Sequence, residues 1–393
     1  MSSEVESNIR LAIVSDSVLP WNQGGKETRY AGYVYDLVKT GIQPTVFTMK
    51  WWEGKTNPVI NGVEFKSISP KYNMYNSEGV RSIAQGILFS LSTIRLLFAN
   101  GIDVIEADQI PYIQIFPLWL IARIRRIPLV VTWHEYWGKD YWRQYLPGLK
   151  GSIGSLVESF VIRLPNQIIT VSDEVTGKVI EALGSPKKVL QINSGLPYSE
   201  MDKIRVDKSS NTILYVGRLI EHKRVDVLIE AFRKIVSQKQ FQNFQLKIVG
   251  VGPEEQNLKT LAEGLANCIF IGELSSTSRV WEAIKEATVL VLPSEREGFG
   301  LVVAESLALG TPVITSNNLN NAARHLAIQQ ESHGLFESGD VNDLEKSLSN
   351  LLNDLPDSQK VTEHFRKTSR IFNWFTVTGL YSAMLKNVVK NER

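Results

Sequence analysis

The sequence predicts an α/β protein built from two doubly wound, Rossmann-like parallel-sheet domains, and three observations lead there. Short β-rich runs alternate with amphipathic helical stretches along almost all of the 393 residues. That length exceeds one ordinary domain and suits two of roughly 150–200 residues. Strands separated by whole helices imply right-handed βαβ units, and hence parallel pairing.

The first strand series falls at 9–16, 44–49, 63–69, 102–107, 128–133, 167–172 and 188–193. A second follows at 212–217, 244–250, 268–272, 287–293, 311–315 and 334–337. Helical stretches lie at 26–40, 79–99, 173–183, 225–238, 254–265, 278–286 and 341–353, and the chain turns helical again after Pro356, with an amphipathic run at 371–389. The polar segment 196–211, rich in charges and serines, marks the boundary. The resulting division is an N-terminal domain over 1–197, a C-terminal domain over 198–370 and a final helix over 371–393. No repeat of 20–50 residues is visible, which argues against a solenoid.

Composition narrows the function classes. Hydrophobic residues make up 43% and charged residues 21%, enough apolar material for a large core and against wholesale disorder. Forty-three Lys and Arg against forty-one Asp and Glu leave a formal +2, so bulk nucleic-acid binding is not expected. The single cysteine, Cys268, allows no internal disulfide and fits a reducing compartment. Glu4 and Glu6 precede only the short apolar run 11–14, which is no secretory signal. The most apolar stretch, 110–131, carries Arg123, Arg125 and Arg126 and is too charged to span a bilayer. A cytosolic protein is expected.

In open α/β sheets ligands bind beyond the carboxyl ends of the strands, so the loops there carry the candidates. After strand 287–293 comes Pro293-Ser294-Glu295-Arg296-Glu297-Gly298-Phe299-Gly300-Leu301, with Glu305 one helical stretch further on. Glycines opening a helix leave the amides of Phe299, Gly300 and Leu301 for an anion, aided by the helix dipole. Glu297 and Glu305 would repel phosphate and suit the hydroxyls of a ribose or sugar; the same pattern also fits a glycine-opened helix with two solvated glutamates. After strand 212–217, Arg218 and Lys223 offer two cations for a diphosphate, or a solvated basic loop. Gly24-Gly25 after strand 9–16 permits close backbone approach to a ligand, or merely turns the chain. It is no Walker motif, since Pro20 stands at the first glycine and Glu27 where Ser or Thr is required. Gly250-x-Gly252 lacks the third glycine of a dinucleotide fingerprint, which excludes a standard NAD site.

His134 ends strand 128–133 and suits either acid/base work or hydrogen bonding to a substrate hydroxyl, unless it is a structural histidine. His222, His325, His333 and His364 show no metal spacing and no Asp-x-Asp occurs, so no metal site is expected. Trp133, Tyr136, Trp137, Tyr141, Trp142 and Tyr145 crowd the segment around His134. Such rings suit sugars or a membrane interface. The arginines at 123–126 beside an apolar run could rest on anionic lipid, or end a core helix.

In combination these residues resemble the retaining glycosyltransferases of family 4, which have the two-domain GT-B fold. The pieces run in order along nearly the whole chain: Gly24-Gly25-x-Glu27, Thr132-x-His134, Val171-Ser172, Val216-Gly217-Arg218-Leu219 with Lys223, and Gly250-x-Gly252-Pro253. Phe270-Ile271-Gly272, Leu292-Pro293-Ser294, Glu297-x7-Glu305 and Ala308-x-Gly310-Thr311-Pro312-Val313-Ile314 complete the set.

The resemblance implies domains that face each other across a cleft, an acceptor-binding N-terminal domain, a donor-binding C-terminal domain and a last helix, with Trp374, crossing back onto the former. It implies a nucleotide-sugar donor, UDP- or GDP-linked, with no further cofactor and no metal. Arg218 and Lys223 would hold the diphosphate, Glu305 the ribose, and Gly272 and Leu274 the base. Glu297 with the amides of Phe299, Gly300 and Leu301 would face the sugar and phosphate. Gly24-Gly25 would bring the backbone of Gly25 to the diphosphate, and His134 would meet the sugar. A hexosyl group would pass with retention to a hydroxyl of a glycan or lipid-linked acceptor; peripheral contact with an anionic membrane is a separate expectation, resting on the aromatic cluster and the arginines at 123–126. A nucleotide-sugar epimerase and a non-catalytic sugar-nucleotide-binding protein are the alternatives.

Two places depart from the family pattern. The segment 315–321 contains no glycine or acid after Val313-Ile314, where a glycine-rich turn and an acidic residue are common. Asp108-Gln109 also stands where a histidine is frequent.

Overall fold

The computed structural model describes residues 8–75, 81–146, 148–207, 211–328 and 334–392. Glu4, Glu6, His333, the first two positions of the helix expected at 79–99 and three of the boundary segment lie outside them. The chain divides into two units, one running to Gly195 and resuming at Trp374, the other spanning Leu196–Asn373.

The first unit holds strands β1 (Ile9–Val14), β2 (Ile42–Met49), β3 (Val59–Ile60), β4 (Val63–Ser69), β5 (Val104–Asp108), β6 (Leu129–Trp133), β7 (Gln167–Thr170) and β8 (Val189–Gln191). Five of six β1 side chains are buried, as in a strand covered by helices on both faces. The sheet order is β3-β4-β2-β1-β5-β6-β7-β8. All pairings are parallel except that of β3 with β4. That short hairpin was not expected, although Asn61 and Gly62, both at positive φ, are its turn and a recognisable hairpin signal.

The second unit holds β9 (Thr212–Val216), β10 (Gln245–Val249), β11 (Cys268–Gly272), β12 (Val289–Leu292), β13 (Val313–Ser316) and β14 (Leu335–Phe336). Its order is β11-β10-β9-β12-β13-β14, all parallel. Counted within the unit this is 3-2-1-4-5-6, the Rossmann order, and it reverses between β9 and β12. The first unit reverses likewise between β1 and β5. Every strand expected from the sequence forms, each end within two residues of its expected place.

Helices Gly138–Tyr145 and Leu149–Val161 are not among the expected helical stretches, and their segment carries Gly148, Gly151 and Gly154, a residue type unfavourable in helices. Two of these glycines serve packing. A Cβ on Gly151 would lie 2.2 Å from the Leu146 carbonyl oxygen, and one on Gly154 2.3 Å from the Trp142 ring.

The final helix, Trp374–Glu392, belongs to the first unit. The Trp374 indole fills the space beside Gly32 and Gly195, where added Cβ atoms would meet it at 2.0 and 2.4 Å. Tyr381 stacks on Tyr33 with ring centroids 4.4 Å apart. The divisions fall at 195/196 and 373/374 rather than 197/198 and 370/371. A bridge between Leu196 and Asn373 and the Leu196 N–H bond to the Phe372 carbonyl, 2.5 Å, hold these residues in the second unit.

Candidate functional site

The loops after β9 and β12 flank the reversal point of the second sheet. Arg218 lies exposed just past β9, its carbonyl accepting the Tyr215 hydroxyl at 2.9 Å. A short 3-10 turn then carries Lys223, whose Nζ lies 2.5 Å from Glu297 Oε1 in the β12 loop. Their side chains are 17% and 13% exposed, so the pair is sheltered but accessible. Beside it, Arg224 adopts φ 50° and joins Asp226 to Glu295, the latter at 2.5 Å. His222 is held neutral: burial first, then Arg296, Lys223 and Arg218, push its pKa down to about 2.

Gly250 and Gly252, the incomplete dinucleotide motif, are explained by backbone contact. A Cβ on Gly250 would lie 1.9 Å from the Gly217 carbonyl oxygen, and one on Gly252 2.1 Å from that of Leu219. These glycines let the β10 loop seat the Arg218 loop.

Gly300 caps the helix Leu301–Ala308 at φ 82°, and a Cβ there would meet Ala323 Cβ at 2.3 Å. Phe299 is buried edge-on against Phe372. The first turn therefore presents its amides at the same end as Glu297. The segment 315–321 braces this loop. Glu297 N–H donates to the Asn320 carbonyl at 3.1 Å, and Ala322 N–H donates to the Glu297 carbonyl at 3.0 Å. Buried Asn321 donates to Thr315 Oγ1 and the Ser316 carbonyl, both at 2.9 Å, while its own oxygen accepts Ala323 N–H at 3.1 Å. An asparagine thus fixes this turn, which has neither glycine nor acid.

Glu305 lies buried on the helix, and the Trp281 indole N–H donates to it at 3.0 Å. Burial pushes its pKa up to about 7, with the Trp281 bond opposing. Trp281 gave no signal in the sequence, since it stands 24 residues away on a different helix. Gly272, at φ 78°, ends β11 and accepts Gly250 N–H at 2.8 Å, with half-buried Leu274 just beyond. The structure thus pairs Lys223 with Glu297 directly; Arg218, Gly272 and Leu274 end or follow strands of the same sheet, and Glu305 lies on the helix after β12.

The first unit carries a denser cluster at its own reversal point. Lys26, next to Gly24-Gly25, pairs with Asp108 at 2.7 Å and Asp16 at 3.1 Å, and Arg81 also bonds Asp16. The two aspartate side chains are 0% and 1% exposed. Burial would raise the Asp16 pKa, but Lys26 and Arg81 outweigh it and hold this carboxyl well below the usual range. Burial pushes Asp108 up, with Lys26 opposing. Gly24 lies under the Glu27 carboxylate, 2.4 Å from where its Cβ would stand, whereas Gly25 has open space.

His134 donates its backbone N–H to the Gln109 side chain, and its Nε2 lies 3.9 Å from Asp108 Oδ1. Burial, Arg29 and Lys26 hold the ring neutral, well below its ordinary pKa. A neutral imidazole suits a hydrogen bond to a hydroxyl. Gln109 also donates to the Glu135 carbonyl at 2.5 Å.

The aromatic segment is organised by buried Glu158, which sequence reasoning missed. It accepts from Tyr112 Oη at 2.7 Å, Trp137 N–H at 3.0 Å, Gly138 N–H at 2.8 Å and Trp142 Nε1 at 3.0 Å. Trp133 and Trp142 are buried, and Trp137 packs on Tyr141, Trp142 and Tyr145 at 4.8–4.9 Å. These rings form a packed wedge rather than a row of free membrane anchors. Among the described residues no group of three or more His, Cys, Asp or Glu gathers as metal ligands would.

Residues 23–199 match Glycosyltransferase Family 4, and residues 199–368 match Glycosyl transferases group 1. A glycosyltransferase of Haemophilus influenzae described as uncharacterized is 32% identical over 161 residues, 41% of this chain and 44% of that one. The chain thus spans under half the length of that relative. Sucrose-phosphate synthase of Thermosynechococcus elongatus superposes with a TM-score of 0.77 over 98% of this chain and 100% of that one, at 17% identity. Anabaena HepE, solved with UDP-glucose, gives 0.71 over 96% and 100%, at 16% identity.

Proposed function

The chain belongs to the family 4 glycosyltransferases with the GT-B fold, and within that family we propose a hexosyltransferase that uses a nucleoside-diphosphate sugar. The acceptor is a hydroxyl on a glycan or on a lipid-linked saccharide at the cytoplasmic membrane face, the configuration at the anomeric carbon is retained, and no metal takes part. The observation that carries this reading is the Lys223–Glu297 pair at the reversal point, beside the glycine-opened helix. A cation, a carboxylate and a set of helix amides at one strand edge can hold a diphosphate and a sugar hydroxyl together. HepE, which shares the fold, was solved with UDP-glucose, and this supports a nucleotide-sugar donor.

In this reading Arg218, Lys223 and the amides of Phe299, Gly300 and Leu301 stabilise the leaving diphosphate, and Glu297 orients the sugar. The bond from acceptor oxygen to anomeric carbon forms on the face from which the phosphate oxygen departs, and that oxygen takes the acceptor proton. In the first unit, neutral His134 suits a hydrogen bond to a sugar hydroxyl, and Gly25 leaves open space for close backbone approach of a diphosphate. Glu305 accepts the ribose hydroxyls, and Trp281 holds its carboxylate in place.

Lys223→Ala and Glu297→Gln test the assignment. Each is expected to lower turnover by about 10²–10³-fold with the fold intact by circular dichroism. Unchanged turnover in both contradicts it, and conversion of the sugar nucleotide with no acceptor present would instead make the protein an epimerase.

A further inference from the structure

In the first unit the crossovers after β4, β5 and β6 all step the same way across the sheet. Right-handed connection therefore places helices 83–98, 115–125 and 149–161 on one face. They are joined laterally. Arg125 donates to the Leu96 carbonyl at 2.7 Å, and Phe116 stacks on Phe160 at 5.7 Å.

The outer side of this layer is apolar. Phe98 is 79% exposed, Leu149 76% and Leu156 71%, with Leu91, Leu120 and Ile124 more than half exposed between them. Single exposed apolar residues are ordinary, but a run across three adjacent helices marks an interaction surface. The next helix, Asp173–Leu183, shows the contrast: it carries Asp173, Glu174, Lys178 and Glu181, and no large apolar side chain stands exposed on it.

Charge identifies the occupant. Residues 83–98, 115–126 and 149–163 carry Arg95, Arg123, Arg125, Arg126, Lys150 and Arg163, and Glu158, their one acid, is buried. The whole chain is nearly neutral, so this one-signed basic face is local. A second copy of the same face would set cations against cations, whereas anionic headgroups complement it. Among the described residues no helix is long and apolar enough to cross a membrane, so the contact would be interfacial.

We propose that this three-helix face docks on the headgroup region of an anionic bilayer, with Leu91, Phe98, Leu149 and Leu156 inserted and Arg123, Arg126 and Lys150 on lipid phosphates. It differs from the surface expected from the sequence, since the rings of the aromatic segment are buried or half-buried against one another and helices 83–98 and 149–161 take its place. The docking surface is built from residues of the first unit alone, and the proposal does not rest on the transferase reading.

The test is cosedimentation of the full chain with vesicles of phosphatidylcholine, with and without phosphatidylglycerol, in the absence of any sugar nucleotide. Binding to the anionic vesicles that weakens with salt is expected. Arg123→Glu with Arg126→Glu should reduce it by at least about fivefold per cation, and Leu91→Ser with Leu156→Ser should abolish it while circular dichroism and melting temperature stay unchanged. No binding to anionic vesicles at low salt overturns the proposal. So does a dimer in sedimentation velocity that the two serines dissociate while vesicle binding is unaffected. Because no donor is present, this result stands or falls separately from turnover with a soluble acceptor.

Discussion

Both sheets reverse strand order at their centre, and both gather charge there, but they hold it differently. In the first unit Lys26 is shared between two carboxylates that are sealed from water, and Arg81 closes one of them from the far side. In the second unit Lys223 pairs with Glu297, and both side chains keep some exposure. Two fully buried aspartates need their cation to remain folded, because an uncompensated buried charge is costly. The Lys223–Glu297 pair can open toward a ligand at small cost, since solvent already reaches it. The same topological position thus serves as a locked scaffold in one unit and as a candidate binding edge in the other.

Lys26→Met should break this comparison most strongly, removing about 3–5 kcal/mol of stability by stranding Asp108 and weakening the hold on Asp16. Urea unfolding measures it, and a loss below about 1 kcal/mol would mean that the first cluster is not a scaffold. Lys223→Ala should cost only about 1–2 kcal/mol in the same assay while removing most activity.

Glu305 provides a pH test next in size. Its carboxyl rises from the ordinary 4.5 to about 7 in the folded chain. The unfolded chain therefore releases this proton first, so the contribution is full below about pH 4.5 and is lost as pH rises through about 7. That loss is about 3 kcal/mol, and Glu305→Gln should flatten the stability profile between those limits. Donor binding should strengthen over the same interval, because ribose hydroxyls donate to the ionised carboxylate. A donor affinity constant from pH 6 to 8 would remove Glu305 from the ribose contact.

The glycines sharpen the contrast further. Gly300→Ala adds a methyl 2.3 Å from Ala323 Cβ at φ 82° and should destabilise by about 3 kcal/mol, read as a lower melting temperature. Gly25→Ala meets open space at a helix start and should change stability by less than about 1 kcal/mol. Lost donor affinity in that variant would then report close backbone approach to the ligand.

The sequence made the α/β architecture legible because strands buried on both faces and helices with one buried face leave different periodicities. Arg218, Lys223, Glu297 and the Gly298-Phe299-Gly300 turn were readable because each follows a strand directly. The Arg81 contact to Asp16 spans 65 residues, and the Trp281 contact to Glu305 joins two helices. Neither leaves a local pattern. Glu158 on its glycine-bearing helix was unreadable for another reason: its donors, Tyr112 and three groups of the segment 137–142, stand 16 to 46 residues away and only the fold brings them to it. The Asn61-Gly62 hairpin, in contrast, was a local signal passed over.

The central claim, a nucleotide-sugar donor held at the edge of the second sheet, is tested most directly by thermal shift against UDP-, GDP- and ADP-sugars without added metal. At 100 times Kd a bound donor adds about 2.7 kcal/mol of stability. A higher melting temperature with one nucleotide series, UDP or GDP, is expected, and loss of that shift in Lys223→Ala. No shift with any of the three, or a shift that Lys223→Ala leaves intact, would contradict it.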